Sequence, residues 1–209
     1  MMQADDLSLF SKIPTVRRAR EYYLYDTKGR RFLDLFQQNG RALMGHRPHA
    51  VYKEMKNVLS RGLAAGYPTV YERRFLKALS ELFPDYCDFR YYSSWEKARR
   101  IVEQYRGTRI PEPISDPAIE EIPGSDVALW RPFTETEQKD TEILIPILPF
   151  SMDPEITIVC FKSTIQKSIP ASDRISGVLL AGLSRSIYEC IKHMRTVDTE
   201  TWHVFDVPI

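Results

Sequence analysis

The sequence predicts an α+β fold in which an antiparallel sheet packs against amphipathic helices. Three observations carry that expectation. Residues 21–36 alternate aromatic and polar side chains around Asp26-Thr27-Lys28-Gly29, as a half-buried hairpin requires. Residues 49–63 and 70–83 place apolar side chains at helical spacing. Residues 142–150 and 155–162 are β-branched runs joined by Ser151-Met152-Asp153-Pro154, a second hairpin signal.

Each element has a local reason. In the first hairpin Asp26 can bond to its own backbone and Gly29 can take a positive φ. A further short strand is expected over residues 41–44. The first helix presents Val51, Met55, Val58 and Leu59 on one face, and the second Tyr71, Phe75, Leu79, Leu82 and Phe83 before Pro84 stops it. Ala64-Ala65-Gly66-Tyr67-Pro68 between them is turn-prone. A third helix over residues 94–104 has Ser94 as N-cap, Lys97 at the capping-box position and Gly107 just past its end. Residues 107–141 change character. Five prolines punctuate an acidic stretch that reads as a linker or extended wrap, with the apolar Val127-Ala128-Leu129-Trp130 docking over the core. Beyond the second hairpin, Asp173 is placed to cap a long helix to about residue 194, and residues 202–207 read as a closing strand.

Composition narrows the classes of function. A chain of 209 residues with 43% apolar and 27% charged residues can bury a sizeable core. A net charge of +1 supplies no electrostatic case for nucleic acid or an anionic membrane. No apolar run approaches the ~20 residues of a membrane span, and residues 1–20 do not read as a signal peptide. The expected compartment is the cytoplasm. Cys87, Cys160 and Cys190 are odd in number and far apart, and fit buried thiols better than a disulfide framework or metal site. His46 and His49 flank Pro48 and read as turn histidines, and His193 suits a helix C-terminus. Neither a nucleophile elbow nor a P-loop nor a dinucleotide fingerprint occurs.

Tyr25-Asp26, Gly29, Phe32-Leu33-Asp34, Gly45-His46 and Ser93-Ser94-Trp95-Glu96, in that order and spacing, resemble the N-terminal segment of the class III pyridoxal-phosphate (PLP) aminotransferases, the ornithine and acetylornithine type. The resemblance covers about half the chain. In that family the two ends of the chain build a small domain. A large domain with a mostly parallel seven-stranded sheet sits between them and carries the cofactor. The present chain therefore resembles those ends joined directly: an aminotransferase-like segment over 1–107, a Pro-rich acidic linker over 108–141, and a β-β-α-β segment over 142–209. On this reading the fold is the small domain of fold-type-I PLP-dependent transferases, and the large cofactor domain is missing.

The same resemblance places a phosphate-binding loop at Ser93, Ser94 and Trp95. There the family has Ser-Gly-x-Glu-Ala at a helix N-terminus, where backbone N–H groups and the helix dipole hold the phosphate. Ser94 stands in place of the glycine, and a side chain hinders close backbone approach. The competing reading is a capped helix with Trp95 packed into the core. PLP is implied by the resemblance alone. The residues themselves lead to no expected cofactor, because no Asp-Glu motif follows an apolar strand and the late lysines near a strand end, Lys162 and Lys167, reverse the usual Ser-Lys order. Three readings follow. The first is a non-catalytic pseudoenzyme acting as an interaction or ligand-binding module, with a homodimer or partner protein on the surface that faces the large domain and with Tyr67, Tyr71, Tyr91, Tyr92 and Trp95 lining it. The second is one subunit of a split aminotransferase whose lysine lies on another chain. The third is a small enzyme of different chemistry near Ser93 and His46. No catalytic residue and no metal ligand is assigned.

Overall fold

The computed structural model describes residues 14–35, 37, 41–107, 109–110, 126–132, 141–150, 152, 155–163 and 169–196. Among these residues two sheets and four helices form. A three-stranded antiparallel meander comprises β1 (Val16–Arg20), β2 (Tyr23–Asp26) and β3 (Arg31–Leu33). Helices α1 (His49–Leu59) and α2 (Val70–Leu82) follow, then β4 (Asp88–Tyr92) and α3 (Trp95–Arg106). Strands β5 (Val127–Trp130), β6 (Ile143–Pro146) and β7 (Thr157–Phe161) precede helix α4 (Gly177–Thr196).

The α+β class stands, but the larger sheet is not antiparallel throughout. Its order is β4-β7-β6-β5. β7 runs antiparallel to both β4 and β6, while β5 and β6 are parallel. Three strands therefore point one way and β7 alone is reversed. β5 lies inside the stretch expected as linker, and all four of its residues are buried. Residues 41–44, expected as a strand, form a turn instead, and residues 202–207 lie outside the described residues.

Strict alternation along the strands builds two cores. Tyr91, Ala128, Trp130, Leu144, Ile158 and Cys160 face a layer made by α1, α2 and α4. Their neighbours Tyr92, Val127, Leu129, Ile143, Ile145, Val159 and Phe161 face the other side, where α3 contributes Ala98, Ile101 and Val102. A sheet covered on both faces needs near-continuous apolar strands, and Ile-Leu-Ile-Pro and Thr-Ile-Val-Cys-Phe supply them.

The meander is fastened to this body through one joint. Gly45 has φ +81, and a Cβ there would meet the Glu21 backbone at 3.1 Å. The close approach lets the His46 amide donate to the Glu21 carbonyl at 2.7 Å. The His46 imidazole then reaches Asp34 Oδ2 at 2.7 Å, with both side chains nearly buried. Phe32-Leu33-Asp34 and Gly45-His46 are therefore the two halves of a structural joint. In the hairpin itself, Asp26 is 3% exposed and its carboxylate accepts from the Lys28 and Arg30 amides and from Arg30 Nε.

Candidate functional site

The loop expected to bind phosphate lies at the carboxyl end of β4, where α3 begins. Ser94 caps α3 in extended conformation, its Oγ accepting from the Lys97 amide at 3.2 Å. Gly107 closes the other end in the left-handed region. Trp95 packs against the α3-side core, and its Nε1 is buried without a hydrogen-bond acceptor among the described residues. The structure thus gives Ser94 and Trp95 the roles of cap and packing group.

The anion at this helix N-terminus is the chain's own. Asp173, expected to cap α4, turns away from it and spans to the Ser93 loop. Its Oδ2 accepts from the Ser93 amide at 2.9 Å and from Ser93 Oγ at 2.8 Å, and its Oδ1 pairs with the Lys97 ammonium. The segment is seated by the β4 edge. The Asp173 amide donates to the Tyr91 carbonyl at 2.9 Å, and the Tyr91 amide donates to Ser172 Oγ at 3.2 Å. Ser176, not Asp173, accepts from the α4 amide of Leu179, at 3.3 Å. Burial opposes the charge on Asp173, but the hydrogen bonds from Lys97 and Ser93 outweigh it and hold the carboxyl below its ordinary range. The Ser93 amide and hydroxyl and the Lys97 ammonium are thus engaged by a carboxylate.

The surroundings are aromatic but closed. Tyr91 donates to Glu72 Oε1 at 2.6 Å and Tyr92 to the Pro170 carbonyl at 3.0 Å. Burial pushes both phenols up, Tyr92 to about 12. Tyr71, Tyr91 and Tyr92 are core residues, so of the aromatic group expected to line an exposed surface only Tyr67 is largely exposed.

The lysine of the late strand is at the wrong end. β7 pairs antiparallel with β4, so Phe161 lies opposite Asp88 and Thr157 opposite Tyr92. Lys162 therefore sits a whole strand away from Ser93, six residue steps along the ladder and about 20 Å at the usual strand rise. Its amide donates to the Glu142 carbonyl at 3.0 Å and its ammonium lies 5.8 Å from the Tyr86 ring centre. Lys167 lies outside the described residues. At the carboxyl end of β5 stands Arg131. Burial lowers the Arg131 guanidinium from its usual value. No grouping of three or more histidine, cysteine or acidic side chains that could hold a metal occurs among the described residues. Cys160 and Cys190 are buried and Cys87 is exposed. Among the described residues no helix is long and apolar enough to cross a membrane.

With this geometry in hand, comparison with known proteins is informative. No family model matches the chain. An uncharacterized protein of Treponema pallidum is 27% identical over 189 residues, 90% of this chain and 57% of its own length. An uncharacterized protein of Borreliella burgdorferi is 38% identical over 80 residues, 38% of this chain and 30% of its own. Glutamate-1-semialdehyde 2,1-aminomutase of Heliobacterium modesticaldum is 35% identical over 69 residues, 33% of this chain and 16% of the enzyme. The chain thus spans well under two thirds of the curated relatives it matches.

Solved structures agree on the fold. The ornithine aminotransferase of Plasmodium yoelii superposes with a TM-score of 0.63 at 12% identity, over 92% of this chain and 74% of that one. A glutamate-1-semialdehyde aminomutase of Pseudomonas aeruginosa gives 0.59 at 10% identity, over 85% and 64%. The FumI protein of Sphingopyxis, solved with PLP, gives 0.55 at 9% identity, over 85% and 65%. The α+β fold of this chain is thus shared with solved aminotransferase structures.

Proposed function

We propose that this chain is a non-catalytic, aminotransferase-like module that acts by binding, to a second copy of itself or to a partner protein. The observation that carries the reading is the Asp173 carboxylate on Ser93 and Lys97. A negative charge already sits at the helix N-terminus, and a phosphate would have to expel it. Lys162 at the far end of the sheet supports the same reading. The residues present do not suit PLP.

The direction of the strands revises which part of the larger fold is retained. Three codirectional strands with helices on both faces match the mostly parallel cofactor sheet of the resembled family better than its small domain. We read β4 to β7 as a reduced form of that sheet, which the long structural superposition supports. The test is a titration of the purified chain with PLP, followed by borohydride reduction and mass measurement. The reading expects an absorbance equal to that of free PLP and an unchanged protein mass. Size-exclusion mass then separates self-association from a monomer awaiting a partner.

A further inference from the structure

The β1–β3 meander carries an excess of positive charge. Residues 16–33 hold six basic side chains against two acidic ones, in a chain of net charge +1. Asp26 is buried in its own turn against Arg30, and the exposed Glu21 pairs with Arg20 at 3.4 Å, so an incoming carboxylate would compete with Glu21 for Arg20. Pairing sets Arg18 opposite Tyr25 and Arg20 opposite Tyr23, with Arg31 beyond Tyr25, so these five side chains share one face. The Arg18 guanidinium lies 4.3 Å from the Tyr25 ring centre and that of Arg31 lies 4.6 Å from Tyr23. Stacking fixes the plane of each guanidinium and leaves its N–H edge for a carboxylate. The sheet ends at β1, whose outer backbone edge has no strand partner among the described residues.

We propose that the β1 edge receives an extended acidic polypeptide segment of another protein as an added strand. Its main chain would pair with Val16–Arg20, and its alternate carboxylates would meet Arg18 and Arg20. A second copy of β1 is disfavoured, because an Arg-rich edge repels its like. Single-stranded nucleic acid is disfavoured because the two tyrosine faces that would stack on bases already carry guanidinium groups. The proposal specifies the interaction surface that the non-catalytic reading leaves open, and its test does not involve the cofactor.

The experiment is fluorescence anisotropy of the full chain with a labelled peptide of alternating Glu and Thr. Saturable binding that weakens with salt is expected. A proline peptide of the same charge, built of Glu-Pro-Pro repeats so that both hydrogen-bonding registers are interrupted, should bind on the order of tenfold more weakly, since it cannot pair along the edge. The double variant Arg18→Glu/Arg20→Glu should lose the acidic peptide and gain an alternating Lys and Thr peptide, which distinguishes a reversed surface from an unfolded one. Absence of acidic-peptide binding, equal binding of the proline peptide, or tighter binding of an oligothymidine strand would overturn the proposal. A failed peptide titration with an unchanged PLP spectrum would leave the non-catalytic reading standing and remove only this surface.

Discussion

Asp173 shows how much one side chain can decide. Its carboxylate receives two hydrogen bonds from Ser93 and one charged partner in Lys97. Replacing it by Asn should lower stability by roughly 1 kcal/mol, a charged hydrogen bond discounted for the exposed Lys97, read as a drop in Tm. Because its folded-state pKa is depressed, its contribution is present above the unfolded value of about 4 and fades as pH falls through the folded-state value below it. The acid limb of a stability–pH profile should therefore flatten in Asp173→Asn; an unchanged limb would remove the residue from the account. Ser94→Ala should cost about 1 kcal/mol as a lost N-cap, measured by denaturant midpoint. The Ser94 cap was legible in the sequence because capping is a local pattern. The bond from Asp173 to Ser93 was not, because its partner lies 80 residues away. Spacing alone assigned Asp173 to the nearest helix, whose cap proved to be Ser176.

At the scale of elements, Gly45 marks the joint between meander and body. Gly45→Ala imposes a side chain at φ +81 and a 3.1 Å approach to the Glu21 backbone. The expected cost is about 1–3 kcal/mol, with the loss confined to the meander. The meander should also open first. Among the described residues no helix covers either face of it, whereas β6 and β7 are buried on both sides. Amide exchange should accordingly be faster over residues 16–33 than over 143–146 and 157–161, and the reverse order would contradict the architecture. The helices and both hairpins were readable, since periodicity, the Asp26 turn and Gly107 are local signals. β5 was misplaced in a linker for a physical reason. It is four residues long, set among prolines, and its parallel partner β6 begins sixteen positions later, so no turn announces the pairing.

For the whole molecule the deciding feature is strand direction, which periodicity does not encode. Apolar runs predicted that β6 and β7 pair, but not that β4 would run the same way as β5 and β6. That direction, with helices on both faces, is what the proposed kinship with the cofactor sheet rests on. It also sets Lys162 and Ser93 at opposite ends, which the linear order Ser93…Lys162 could not reveal. The measurement that bears most directly on the account is the PLP titration, run in parallel on the wild-type chain and on Asp173→Ala. The account predicts no saturable spectral change and no retained mass in the wild-type chain. A stable reduced adduct on any lysine of the wild-type chain would contradict it.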